Sequence, residues 1–123
     1  EKIYMKRVFL AEDDPTMVNL LETLLKLEGF EVITLDLATD DLLSILREDI
    51  PETLVLDVNL PSQNGMDIVR AMRKEDAFKN TRVVMASGMS LGDECLSSGA
   101  DDFLLKPYMP DDLISILRKY ITG

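Results

Sequence analysis

The chain has no histidine and no tryptophan, a single cysteine among 123 residues, and many fewer basic than acidic side chains. Each shortage removes a class of function. Without histidine the chain cannot carry a phosphohistidine or use imidazole as a general base. One cysteine, Cys95, cannot form an internal disulfide, which points to a reducing, cytoplasmic setting. Thirteen Lys and Arg against 23 Asp and Glu give a net charge of −10. Nucleic acid and anionic membrane surfaces both call for clustered cations, so direct binding to either is disfavoured. No apolar run approaches the roughly 20 residues of a membrane span, and no secretory leader is visible. The chain opens on Glu1, with Met5 a candidate initiator.

What is present is a pattern. Residues 1–123 are long enough for one domain with one unstapled core. Five short stretches run largely apolar, and four of them stop on a residue that can do chemistry. Val8–Ala11 stops at Glu12 and Asp13, Leu54–Leu56 at Asp57, Val83–Ala86 at Ser87, and Phe103–Leu105 at Lys106. The second, Val32–Leu35, stops at Asp36. Strands that are apolar throughout belong to a parallel sheet covered on both faces. Amphipathic segments lie between them. Asp14-Pro15 opens the first helix, because Asp caps and Pro suits the first helical position. Gly29 closes it. Leu42, Ile45 and Leu46 give the second helix its face, and Met66, Val69 and Met72 the third. Two glycines after Ser87 delay the fourth helix to near Gly92 or Asp93, ending near Ser98. Pro110 starts the last. The spacing predicts an α/β fold of three layers, doubly wound and flavodoxin-like. Its five-stranded parallel sheet has the order 2-1-3-4-5.

In such a sheet all strand C-termini share one edge, and ligands bind just beyond it. Glu12, Asp13, Asp57, Ser87 and Lys106 therefore converge. Three carboxylates in one pocket repel one another, and a hard divalent cation resolves the repulsion. Mg²⁺ accepts octahedral oxygen ligands and is commonly held by one or two carboxylates beside a phosphate. Asp13 and Asp57 suit direct ligation and Glu12 ligation through water, with Asp14 left to cap the helix. An Asp at a strand end beside a metal can act as a nucleophile toward phosphorus. Lys106 and the Ser87 hydroxyl, with nearby backbone N–H groups, would then hold the other transferred oxygens.

Together these residues resemble the receiver domain of two-component response regulators, the CheY-like family. The likeness covers essentially the whole chain. It takes in Glu12-Asp13, Asp57 followed by Asn59-Leu60-Pro61 and Gly65, Ser87, Gly99-Ala100-Asp101, and Lys106-Pro107. The resemblance implies that Asp57 is phosphorylated from a phosphohistidine on a sensor histidine kinase or phosphotransfer protein. It implies that Glu12, Asp13, Asp57 and the backbone carbonyl of Asn59 organise Mg²⁺. Ser87, Gly88 and Lys106 would contact the phosphoryl group, with Ser87 and Phe103 forming a switch. Output would pass to a downstream effector protein or a fused output domain, from a monomer or weak homodimer. The chain would be a signalling phosphoacceptor, not an enzyme acting on other substrates. Glu stands at position 12 where Asp is commoner, and Ser87 lacks the methyl of the frequent Thr. The segment from Ser87 to Gly99 is shorter than usual by about one turn, ~3.6 residues, which bears on partner contacts more than on phosphorylation.

Two other readings compete. A haloacid-dehalogenase-type Mg²⁺ phosphatase also uses a strand-end Asp, but it wants a second Asp where this chain has Asn59, and a cap domain. A docking module that has lost phosphorylation would not need Asp57, Ser87 and Lys106 together. Plain structural roles also fit several residues. Phe103 suits a core position, Cys95 an ordinary helix position, and Met66, Met72 and Met85 core packing. Arg70, Arg73 and Lys74 read as a solvated helix face.

Overall fold

The computed structural model describes residues 6–120, so Met5 lies outside the described residues. Strands β1 (Lys6–Ala11), β2 (Phe30–Thr34), β3 (Thr53–Asp57), β4 (Arg82–Ser87) and β5 (Asp102–Leu105) alternate with helices. The helices are α1 (Pro15–Leu27), α2 (Leu42–Glu48), α3 (Gly65–Arg73), α4 (Gly92–Ser98) and α5 (Pro110–Tyr120). The strands form one parallel sheet in the order β2-β1-β3-β4-β5. That is the expected topology, with β1 and β3 flanking the point where the winding reverses.

Successive side chains point to opposite faces of a strand, and here each face has its own core. Leu10, Val55 and Val84 stand side by side across β1, β3 and β4. They pack with Leu21 and Leu25 of α1 and Leu113 and Leu117 of α5. Phe9, Leu54 and Val83 point the other way, onto Leu42 and Leu46 of α2, Val69 and Met72 of α3, and Cys95 of α4. Both faces are covered, which is why β3 is buried along its whole length.

Local signals account for the helix ends. The Asp14 carboxylate accepts the Thr16 N–H at 3.0 Å, capping α1. Gly29 takes φ +91 beyond its end, in the left-handed region that suits glycine. Helix α4 begins at Gly92 and ends at Ser98, as the two glycines after Ser87 suggested. The second strand differs from the sequence reading. It starts earlier, at Phe30, and ends at Thr34. Leu35 is instead a buried loop residue whose N–H donates to the Leu10 carbonyl at 2.9 Å. As an edge strand, β2 is mixed in burial, with Phe30 buried, Val32 and Ile33 half-buried and Glu31 and Thr34 exposed, so its apolar residues marked it only partly.

Arg73 needs a correction. Arg70 and Lys74 are exposed, but Arg73 turns inward. Its guanidinium donates to the Gly99 carbonyl at 2.9 Å and the Phe78 carbonyl at 2.8 Å, and pairs with Asp101 at 3.1 Å. The fork of a guanidinium suits three acceptors at once, and helical spacing alone does not reveal acceptors brought in by other segments. Arg73→Met should cost about 2 kcal/mol by removing these bonds. Arg70, whose partner Asp67 is on the exposed surface, should cost less than about 0.5 kcal/mol on the same change. Urea unfolding of the two variants checks this, and equal midpoints would refute it.

Candidate functional site

Four neighbouring strands, β1, β3, β4 and β5, deliver the site. Glu12 follows β1 directly and is buried, while Asp13 beside it is exposed. Asp57 is the last residue of β3 and Ser87 the last of β4. Lys106 follows β5, and its backbone N–H donates to the Ser87 carbonyl at 2.8 Å, fixing where the lysine leaves the sheet. Its ammonium reaches Glu12 at 2.7 Å and Asp57 at 2.9 Å. A cleft of about 280 Å³ lies over these groups, lined by Asp13, Asp57, Asn59, Ala86, Ser87, Gly88 and Lys106. The Lys106-Pro107 peptide is cis.

The electrostatics follow from burial against pairing. Burial raises the Asp57 carboxyl; the Lys106 hydrogen bond opposes this, Glu12 adds to it, and the result is about 7 instead of the ordinary 3.8. Burial also acts to raise Glu12, but hydrogen bonds from Lys106, Asp57 and the Asp14 N–H outweigh it and hold Glu12 below its usual range. Burial acts to lower Lys106, and its two carboxylate partners more than reverse that. Of the facing pair, Glu12 therefore carries the negative charge and Asp57 is the one made reluctant to ionise.

A divalent cation fits this arrangement. Glu12, Asp13 and Asp57 each offer a carboxylate oxygen, all within 4.8 Å of one another. Hard oxygen donors are what Mg²⁺ takes. Lys106 supplies one positive charge for three carboxylates, and the deficit is what a divalent ion would balance.

The five residues expected to meet, Glu12, Asp13, Asp57, Ser87 and Lys106, do meet. Phe103 does not line the cleft. It lies on the α4 side of the sheet, half-buried against the core there, and a Cβ on Gly92 would come within 3.4 Å of its ring. Ser87 faces the cleft, and its hydroxyl accepts the Met89 N–H at 3.1 Å. Two further residues bear on the site. Gly65, noted in sequence only as part of a pattern, packs its Cα against the Asp57 backbone, where a Cβ would collide with the Asp57 carbonyl oxygen. Tyr108 has a buried hydroxyl that meets no protein partner among the described residues. Burial, then the charge of Glu12, pushes that phenol up to about 12. The only sequence signal for it was an aromatic immediately after Lys106-Pro107.

The geometry has counterparts. A family model described as the response regulator receiver domain matches residues 8–118. The cell cycle transcriptional regulator CtrA of Caulobacter vibrioides is 39% identical over 120 residues, covering 94% of this chain and 50% of CtrA. The chain thus spans about half the length of that curated relative. Among solved structures, the receiver domain of a Francisella response regulator superposes with a TM-score of 0.83 at 25% identity, over 94% of this chain and 95% of that one. The receiver domain of a sensor histidine kinase from Pseudomonas aeruginosa, which holds a magnesium ion in its active-site cleft, superposes at 0.82 with 23% identity. It covers 95% of this chain and 98% of its own.

Proposed function

This chain belongs to the response regulator receiver domain family of two-component signalling, and we propose that Asp57 is the residue that accepts the phosphoryl group. The observation carrying this reading is the contact of Lys106 with Asp57 at 2.9 Å, at the edge of the sheet and beside Glu12 and Asp13. One ammonium, one hydroxyl and a set of carboxylates face a single small cleft.

The ionised Asp57 carboxylate attacks phosphorus. Its oxygen forms the new O–P bond while the bond from phosphorus to the donor breaks, and the leaving group departs with the electron pair. The product is an acyl phosphate on Asp57. The donor is a phosphohistidine of a sensor kinase or phosphotransfer protein. Transfer of this kind depends mostly on alignment and on neutralising the transferred oxygens. Lys106 meets one of those oxygens, and the Ser87 hydroxyl with the Gly88 backbone meets another. Asp13, Asp57 and the Asn59 carbonyl would hold Mg²⁺, with Glu12 acting through water, and the ion when bound would supply further positive charge at the transferred group. Moving Ser87 toward that group would free space for Phe103, whose ring already lies between β5 and α4. The relatives include DNA-binding regulators, so the output is a partner protein or a fused domain. No helix among the described residues is long and apolar enough to cross a membrane. The lone free thiol of Cys95 suits a reducing compartment, and on that ground we assign the protein to the cytoplasm.

Acetyl phosphate provides the test. With Mg²⁺ the native protein should gain one phosphoryl mass on Asp57, and Asp57→Ala should gain none. Mg²⁺ alone should raise the melting temperature, by about 1–3 kcal/mol of stability when well above its Kd. That shift should vanish in Asp13→Ala. Equal labelling of Asp57→Ala would overturn the assignment.

A further inference from the structure

Lys106 comes off β5, yet its ammonium reaches Glu12, just past the end of β1, at 2.7 Å as well as Asp57 on β3 at 2.9 Å. In the order β2-β1-β3-β4-β5, β5 stands three strand spacings from β1, about 14 Å. Only two long side chains meeting end to end cross such a gap. The Glu12 carboxylate is itself fixed. One oxygen takes Lys106 at 2.7 Å, and the other accepts the Asp14 N–H at 3.1 Å, at the residue that caps α1. The Glu12 side chain is 2% exposed and that of Lys106 25%. One end of the pair is therefore anchored in the fold, and the other is free to be steered. We propose that Glu12 is the positioning residue of Lys106, and that the length of a glutamate, rather than its charge alone, is what the site uses at position 12.

An aspartate there would keep the charge and withdraw the oxygen by one C–C bond, about 1.5 Å, which takes a 2.7 Å contact beyond hydrogen-bonding range. Asp57 alone would then hold the ammonium. Once Asp57 carries a phosphoryl group, Glu12 still anchors Lys106 from the far side and directs it at the transferred oxygens. The activity part of this inference rests on Asp57 being the acceptor; the resting-state part does not.

The test begins with metal-free, unphosphorylated protein labelled with ¹⁵N on lysine. An ammonium held between two carboxylates exchanges its protons slowly and gives its own signal, identified by its loss in Lys106→Ala. The native protein should show that signal, and both Glu12→Asp and Glu12→Gln should lose it while keeping a native amide spectrum. A native protein without the signal, or a signal that survives both changes, overturns the proposal. The second arm is the rate of labelling by acetyl phosphate. Glu12→Asp should slow it by about tenfold, the loss of one charged hydrogen bond. In a Lys106→Ala background the same change should slow it by no more than about twofold, since coupled residues are not additive. Factors that simply multiply would show that Glu12 acts independently of Lys106. Failure of the native protein to label at Asp57 would remove the phosphoacceptor reading and leave the ammonium result intact.

Discussion

Gly65→Ala is expected to abolish labelling of Asp57 and to remove about 3 kcal/mol of stability, the upper end for overpacking a filled site. The glycine opens α3, and its N–H donates to the Val58 carbonyl at 2.7 Å, holding the helix start against the end of β3. A methyl at position 65 would be 2.9 Å from the Met85 Cε and would collide with the Asp57 carbonyl oxygen. The methionine tip can move aside at small cost. The carbonyl cannot, because it belongs to the backbone of a fully buried strand. What must shift is the residue whose carboxylate is the proposed nucleophile, so stability and transfer fail together. Gly88→Ala is the comparison, because a Cβ there meets nothing within 4 Å, and its stability should change by less than about 0.5 kcal/mol. Urea unfolding and intact-mass labelling read both effects. Coincident unfolding curves for the two variants would disprove the close-approach argument.

Lys106→Met should be the most pH-sensitive change in the molecule. It leaves Glu12 and Asp57 facing each other without their shared cation. Removing one partner of a buried pair is strongly destabilising, and the partial exposure of the lysine brings the expected loss to about 2 kcal/mol at pH 8 without metal. The sign of the pH effect comes from Asp57. Its folded value near 7 lies above the ordinary 3.8, so between those values the folded state binds more protons than the unfolded one. Stability therefore falls as pH rises through that window. Losing the hydrogen bond from Lys106 raises Asp57 further, which deepens the fall and extends it to higher pH. At pH 5 Asp57 already holds its proton, and the variant should differ from the native protein by only about 1 kcal/mol, the scale of one lost hydrogen bond. Urea midpoints at pH 5 and pH 8 decide it. A deficit that is equal at both would mean that the ammonium is not compensating Asp57.

The topology and the gathering of Glu12, Asp13, Asp57, Ser87 and Lys106 were legible because one rule links them. Parallel strands end on one edge, and a chemically active residue after each apolar run must stand there. The interior strands β3 and β4 were clearest, since both of their faces are covered. The edge strand β2 was blurred because one side of it meets solvent and its pattern mixes. What the sequence could not convey was acceptance by distant backbone. Arg73 looked like its exposed neighbours, and nothing in its own helix announces the carbonyls of Gly99 and Phe78. Gly65 carried no sign that it lies against Asp57, because a close approach belongs to two segments at once. The division of labour between Glu12 and Lys106 depends on a distance across three strands, which residue types alone do not give.

Helix α4 has only seven residues, begins at a glycine, and has no side-chain cap at Leu91. Such a helix does not sustain itself in water. It is held by tertiary packing: its own Cys95 and Ser98 are buried against the fold, and the Phe103 ring lies beside Gly92. The position of that aromatic ring therefore bears on how readily the first turn unwinds. Local melting, rather than rigid displacement, is the cheapest response of this surface to any event that moves Phe103.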